Sequence, residues 1–150
     1  MKHPQTYSKE LNQKIKCSLT PERLESIEKY GCCAFVLLWT LGIEPDDDFI
    51  AIMTVSDMIE DGVIGKDCTV KWAEAILYLT GRNATVEFAD IKSIKSIKER
   101  TPVRYDYNGK SHWVGVQNGK IEFNPLKNSV CVENGKPVTC RKIKILRSQE

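Results

Sequence analysis

Residues 30–42 read YGCCAFVLLWTLG and carry no charged side chain. Between residues 34 and 41 the only polar side chain is that of Thr40, so the segment is apolar on every side and not along one stripe. A helix with this pattern is buried by its neighbours on all sides, and it is too short for a membrane span, which needs about 20 apolar residues. Gly42 and Pro45 mark its end. We therefore expect one central helix, against which the rest of the chain packs.

Two cysteines, Cys32 and Cys33, open this helix directly after Gly31. The unpaired amides and the dipole of a first helical turn favour a thiolate, and they can also hold a developing oxyanion. A nucleophilic cysteine placed there is expected to react with electrophiles near pH 6. Free cysteines are more commonly small core residues, so a packing role for the pair stays open.

The composition is typical of one soluble globular domain. The chain has 150 residues, of which 41% are hydrophobic and 28% charged, and its net charge is +2. This length supports a single hydrophobic core, and the small net charge gives no attraction to nucleic acid or to a membrane surface. Residues 1–20 are polar, which predicts an N-terminal arm and no signal peptide. We expect one domain over residues 1–150 and a cytoplasmic location.

The six cysteines are expected to be reduced, because the chain has a core and shows no export signal. There is no C-x-x-C pair, and only two histidines are present, so we expect no metal ion and no other cofactor. The most plausible disulfide joins Cys131 and Cys140 across the Asn134-Gly135 turn. A two-residue turn there makes the two cysteines diagonal neighbours, which disfavours the bond.

Helical patterns surround the central segment in the first half of the chain. One helix begins with Thr20 as its cap and Pro21 in its first turn. A second reads FIAIMTVSDMIEDG, and a third reads VKWAEAILYLTG, with Asp67 or Thr69 as its cap and Gly81 at its end.

From residue 82 the pattern changes. TVEF predicts a short strand, and DIKSIKSIKER predicts a short helix whose lysines face solvent. The tripeptide Asn-Gly-Lys then occurs at Asn108, Asn118 and Asn134, and Asn-Gly between alternating apolar residues is a strong hairpin signal. The flanking segments predict five strands of one antiparallel meander: PVRYDY, KSHWVGVQ, KIEFNP, SVCVE and KPVTCRKIKIL. Helices followed by an antiparallel sheet predict an α+β fold.

Three of these residues together form a candidate catalytic set. His112 lies early in the strand KSHWVGVQ, and Asn124 ends the next strand. A cysteine at a helix start, a histidine on a strand and a polar third residue are the parts of a nucleophile, a base and an orienting group. With Cys32 as the nucleophile, this order predicts a thiol hydrolase.

In these residues the chain resembles the papain-like cysteine peptidase superfamily, and most closely its bacteriocin-leader-processing branch. In that branch a cysteine opens a buried helix, further helices follow, and a sheet carries His-aromatic-Val-x-Val and then Asp-Pro or Asn-Pro. The matching segments, within residues 26–126, are GCCAFVLLW, KERTPVRYDYNGKSHWVGV and IEFNP. The resemblance implies a bacterial or phage peptidase with a papain-like fold, in which the helix of Cys32 packs on the C-terminal sheet.

The resemblance also implies roles for individual residues. Cys32 is the nucleophile, because it directly follows Gly31, His112 is the base and Asn124 orients the imidazole. The substrate is then a peptide or protein, cleaved at a peptide or amide bond, with no cofactor. The chain departs from the pattern at Ser26, where the family has a glutamine that binds the oxyanion. Losing one such donor costs about 10²–10³ in rate, so the alternative is an inactive papain-like domain that binds a protein or peptide.

The register of the Asn118-Gly119 hairpin leaves two alternatives open. A two-residue turn pairs Val116 with Ile121 and sets Asn124 on the face opposite to His112. A three-residue loop pairs His112 with Asn124 directly. The apolar residues favour the first register, and the predicted chemistry favours the second.

Overall fold

The computed structural model describes residues 1–6, 19–65 and 69–146. Helices precede an antiparallel sheet, so the predicted α+β class is confirmed. The elements are α1 (described over residues 4–6), α2 (Pro21–Tyr30), α3 (Cys32–Thr40), α4 (Asp48–Glu60), α5 (Trp72–Thr80), β1 (Ala84–Asp90), β2 (Thr101–Tyr107), β3 (Lys110–Gln117), β4 (Lys120–Phe123), α6 (Val130–Asn134) and β5 (Lys136–Ile145).

The predicted central helix is α3, and the prediction is confirmed. Every residue from 32 to 39 is buried, because α2 and α4 cover one side of the helix and β2 and β3 the other. Its side chains form the centre of the larger hydrophobic cluster, which also includes Ile52, Val55 and Phe123.

The other helices begin close to where the sequence predicts. Thr20 caps α2, its hydroxyl accepting a hydrogen bond from the Arg23 amide at 3.2 Å. For α5 the residue before the first turn is Lys71, so Thr69 is not the cap, and Asp67 lies outside the described residues. Gly81 ends α5 in the left-handed conformation, at φ 71°, which glycine adopts without strain.

The sheet is antiparallel, but the predicted meander is wrong. The strand order is β1-β5-β2-β3-β4, so the last strand lies between the first two. The segment SVCVE is not a strand but forms the short helix α6, in which Cys131 alone is buried. Gly135 ends this helix, and a side chain there would collide with the Asp106 carbonyl of β2. The third Asn-Gly pair is therefore a helix end that lets the chain return alongside β2.

The two faces of the sheet are covered by different elements. Trp113 and Gly115 of β3 face α3, and we call this side the helix face. The alternate residues Val114 and Val116 lie on the opposite face, in a second cluster with Cys131 of α6. The isoleucines of DIKSIKSIKER pack on this cluster, but that segment is irregular and not the predicted helix. The Ile97 carbonyl accepts from the Gly119 amide at 2.7 Å, a bond that fixes an extended connection instead.

Residues 1–6 are packed, which corrects the prediction of a polar arm for that part of residues 1–20. The amides of Lys2 and His3 donate to the carboxylate of Asp48 at 2.6 and 3.3 Å, and the terminal ammonium bonds the Pro45 carbonyl. The first turn of α4 offers a carboxylate there, and these otherwise unpaired amides bind it. Residues 7–18 of the predicted arm lie outside the described residues.

Candidate active site

Cys32 begins α3 and lies against the edge of β3. The backbone N–H groups of Trp113, of Cys33 and of Cys32 itself are close enough to its sulfur to favour the ionised thiol. β4 ends opposite Gly115 and leaves β3 without a partner on that side at Trp113. The thiol therefore lies one residue along the strand from His112.

Burial opposes the ionisation of this thiol. Cys32 is 8% exposed, and burial raises its pKa more than the three amides lower it. The expectation of a lowered pKa at the helix start is therefore not met. The reason is that α3 is enclosed from its first residue, so the loss of hydration outweighs the helix dipole. The Cys32 thiol is protonated at neutral pH.

The structure brings His112 and Asn124 together. The Nε2 atom of His112 lies 2.7 Å from the Oδ1 atom of Asn124. His112 is 3% exposed, and burial lowers the pKa of its imidazole, against an opposing effect of the Asn124 hydrogen bond. This environment therefore favours the neutral imidazole.

A second hydrogen bond fixes the position of the imidazole proton. The Leu126 amide donates to the same Asn124 Oδ1 atom at 3.1 Å, so that atom is the carbonyl oxygen of the side chain and accepts both bonds. His112 must then carry its proton on Nε2. Its Nδ1 atom is left with the lone pair, which is the form that a general base requires.

A bulge in the β3–β4 hairpin brings Asn124 to the face of His112. The turn at Asn118-Gly119 has two residues with φ of 53° and 72°, and it pairs Val116 with Ile121, as the first register predicts. The register then shifts by one residue, so that Gly115 pairs with Phe123. Continuing this shift sets Asn124 on the face of Val114 and His112, because side chains alternate along a strand. The bulge therefore keeps the pairing of apolar residues next to the turn and still places Asn124 on the same face as His112.

Residues at the N-terminus hold this asparagine in place, and apart from an isolated histidine they carry no sequence signal for such a role. The ring of His3 donates through Nδ1 to the Asn124 carbonyl at 3.0 Å. The backbone N–H of Gln5 donates to the Pro125 carbonyl at 3.2 Å, and the backbone N–H of Lys127 donates to the Thr6 hydroxyl at 2.8 Å. These three bonds, which we call the N-terminal brace, hold the loop after β4.

Cys32 is not joined to the His112–Asn124 pair by a hydrogen bond. None of the hydrogen bonds found among the described residues links the thiol to the imidazole. His112 belongs to the opposite face of the sheet, whereas α3 covers the helix face.

Ser26 lies in α2. It borders a shallow depression with Glu22 and Glu25, and no amide side chain takes the place of the family's glutamine there. Gln5 is buried nearby, but its Nε2 atom donates to the Glu28 carbonyl at 2.8 Å. The N–H groups around Cys32 are the donors that remain for an oxyanion.

A cleft of about 290 Å³ opens beside Cys32 on the helix face. Its walls include Cys33, Trp72, Ser111, Trp113 and Arg141. The sequence predicts no role for Arg141, which lies in the predicted last strand, KPVTCRKIKIL. In the structure it is 9% exposed, unlike Lys142 and Lys144, which are exposed.

None of the described cysteines forms a disulfide bond, namely Cys32, Cys33, Cys131 and Cys140. The diagonal pairing expected for Cys131 and Cys140 is wrong, because Cys131 lies in α6 and not on a strand. Cys17 and Cys68 lie outside the described residues. Within the described ranges no group of three or more His, Cys, Asp or Glu side chains is arranged to hold a metal ion.

No family model matches this chain, and neither a curated protein nor a solved structure matches it. None of the helices within residues 1–6, 19–65 and 69–146 has the length and apolar character needed to cross a membrane.

Proposed function

We propose that this chain is a papain-like thiol hydrolase that cleaves a peptide or amide bond through Cys32, His112 and Asn124. The observation that carries the proposal is the pair of hydrogen bonds at Asn124 Oδ1, from His112 Nε2 at 2.7 Å and from the Leu126 amide at 3.1 Å. Together they leave the basic nitrogen of His112 unprotonated.

The position of Cys32 supports the role of nucleophile. Its thiol lies at the backbone of β3 beside His112, and amides of Trp113 and Cys33 surround the sulfur. Proton transfer requires a movement that brings the thiol to His112 Nδ1, because no hydrogen bond joins the two side chains among the described residues. Catalytic hydrogen bonds often form only when the substrate is bound.

The reaction follows from these groups. His112 Nδ1 takes the proton of the Cys32 thiol, and the thiolate attacks the substrate carbonyl, whose oxygen becomes negatively charged. The amides around Cys32 stabilise that oxyanion. The tetrahedral intermediate collapses to a thioester as His112 returns its proton to the leaving amine. Water, deprotonated by the same imidazole, then hydrolyses the thioester and releases the thiol.

A silent papain-like domain that binds a peptide or protein is the second candidate function. Two observations favour it: burial raises the pKa of Cys32, and Ser26 stands where the family has a glutamine. In such a domain the cleft binds its partner, and His112 and Asn124 serve only to hold the loop after β4.

Alkylation of the folded protein by iodoacetamide at pH 7, followed by peptide mass spectrometry, tests the proposal. Cys32 is expected to react faster than Cys33. His112→Ala is expected to slow the modification of Cys32 by about 10²-fold, the lower range for a general base. Cys33→Ser is the matched control and should keep the reactivity, whereas Cys32→Ser should lose it. A rate at Cys32 that ignores the loss of His112 would support the binding domain instead.

A further inference from the structure

Arg141 is a buried cation that forms no ion pair with any carboxylate of the described residues. It lies in β5 opposite Phe88 of β1, and its guanidinium carbon is 3.7 Å from the centre of that ring. Trp113 and Trp72 contribute rings at 5.0 and 5.7 Å. Among the described residues no Asp or Glu oxygen lies within 4 Å of it. Burying an arginine without a counter-ion is costly, and stacking on aromatic rings offsets only part of that cost.

One edge of the guanidinium is fixed by the protein, and the other is unused. Nη1 donates to the Thr139 hydroxyl at 3.0 Å and to the Cys140 carbonyl at 3.2 Å, and the Thr139 hydroxyl in turn donates to the Ala89 carbonyl. Nε is buried without a hydrogen-bond partner, and Nη2 donates to no described residue. Nε and Nη2 form the edge that binds a carboxylate with two parallel hydrogen bonds.

The cleft that contains this side chain has the charge expected for an anionic ligand. None of its described wall residues is acidic, and Lys29 provides a second cation, although Lys29 also pairs with Glu25 at 2.8 Å. Cys32 and Cys33 border the same cleft. A group bound at Arg141 is therefore close to the candidate nucleophile.

We infer that the cleft beside Cys32 contains a subsite for a carboxylate, which accepts hydrogen bonds from Nε and Nη2 of Arg141. Phe88, which is 63% exposed, stacks on one face of the guanidinium and is not a wall of the cleft. The inference deepens the proposed function, on which it rests for the peptide nature of the ligand. The substrate class it assigns is a peptide with a carboxylate near the cleaved bond.

The carboxylate has two possible sources in a peptide, an acidic side chain or a free C-terminus. Titration of the wild-type protein with two small acids at constant ionic strength separates the two sources. Tryptophan fluorescence is the readout, because Trp72 and Trp113 flank Arg141. N-acetylglutamic acid α-amide presents the side chain, and N-acetylglycylglycine presents the C-terminus. A saturable change with either compound, and none with N-acetylglutamine amide, is the expected result. No saturable change with either acid, or an equal change with the neutral amide, would overturn the inference.

Variants test whether Arg141 carries the binding. Arg141→Gln is expected to weaken the affinity at least about tenfold, as for the loss of a hydrogen bond to a charged group. Arg141→Lys keeps the charge without the planar edge and should give an intermediate loss. The matched control is Lys29→Gln, which removes the same charge from the same cleft. An equal loss in the Lys29 and Arg141 variants would show general attraction by positive charge and would contradict the subsite.

A comparison of two alkylating reagents separates failure of the subsite from failure of the proposed function. Iodoacetate carries a carboxylate, and iodoacetamide is neutral but otherwise matched. The rate constant of iodoacetate at Cys32, divided by that of iodoacetamide, is expected to be lower in Arg141→Gln than in the wild-type protein. A His112-dependent rate with an unchanged ratio would remove the subsite and keep the hydrolase. If the acidic compounds bind but His112→Ala does not change the rate at Cys32, the subsite is kept and the hydrolase is removed.

Discussion

Gly115 of β3 faces the indole ring of Trp39 with no space for a side chain between them. A Cβ atom built on Gly115 would lie 2.5 Å from Cζ3 of that ring, so the contact between α3 and the sheet depends on the missing side chain. Trp39 also stacks on Phe123, where β4 ends. This contact therefore positions both the helix that begins with Cys32 and the strand end that precedes Asn124.

We expect Gly115→Ala to destabilise the fold by about 1–3 kcal/mol, as overpacking of a tight core does. Urea denaturation followed by circular dichroism measures the loss. Gly109→Ala is the matched control, since the same methyl group there meets no atom within 4 Å and only the positive φ of 78° opposes it. A smaller loss at Gly115 than at Gly109 would contradict the steric argument.

Asn124→Ala is expected to release the proton of the His112 imidazole from Nε2. In the wild-type protein, ring ¹⁵N chemical shifts at pH 8 should report one dominant tautomer, with the proton on Nε2. The variant should report a mixture, because Asn124 Oδ1 is the acceptor that selects the tautomer. Asn128→Ala removes an asparagine from the same loop and should leave the shifts unchanged. An unchanged tautomer in Asn124→Ala would show that another group fixes the ring.

The stability of the fold is expected to fall with acid because of His112. Burial lowers the pKa of this imidazole in the folded protein, so the unfolded chain binds the proton more readily. The free energy of unfolding therefore decreases as the pH falls below about 6.5, by up to about 1.4 kcal/mol per pH unit for one proton. At higher pH His112 is neutral in both the folded and the unfolded protein, so it no longer contributes to the change of the unfolding free energy with pH.

Denaturation of His112→Gln at pH 7.5, 6.5 and 5.5 measures this contribution. The variant should be less stable than the wild type at pH 7.5, and its stability should decrease less between pH 6.5 and 5.5. His3→Gln removes the other histidine of the chain and assigns the slope to one ring or the other. A slope that persists in His112→Gln would mean that other groups cause the acid sensitivity.

The alkylation of Cys32 should increase with pH and not level off near pH 6. Burial raises the pKa of the thiol and lowers that of His112, so the resting pair is neutral rather than an ion pair. We expect the rate constant with iodoacetamide to rise through the range above about pH 8.5, the value for an unperturbed cysteine. The measurement uses Cys33→Ser, so that only one of the two adjacent thiols can react. A plateau between pH 5 and 7 would instead show a preformed thiolate–imidazolium pair.

The sequence predicted the elements that local patterns determine. The uncharged run around Leu37 can only be a buried helix, and the Asn-Gly pairs at Asn108 and Asn118 adopt positive φ as hairpin turns do. SVCVE was predicted wrongly because its alternation fits a strand, whereas a tertiary contact of Gly135 with β2 selects a helix end. The placement of β5 between β1 and β2 depends on pairings distant in the chain, which a local pattern does not contain.

The candidate site likewise contains residues that local patterns predict and residues that only distant contacts explain. His112 and Asn124 were found from their strands, but the bulge that brings them together has no clear signature in the residues of β4. Arg141 was missed because a cation in an alternating strand is normally exposed. Its burial follows from Phe88, Trp72 and Trp113, which come from three other elements.

The N-terminal brace has a consequence for the order of folding. It joins His3 to Asn124 and Thr6 to Lys127, contacts that span 121 positions of the chain. Contacts over such distances form only after the loop between them has been closed at an entropic cost. The hairpin of β3 and β4 is local and needs no such closure. We therefore expect the hairpin that carries His112 to form before the brace positions Asn124.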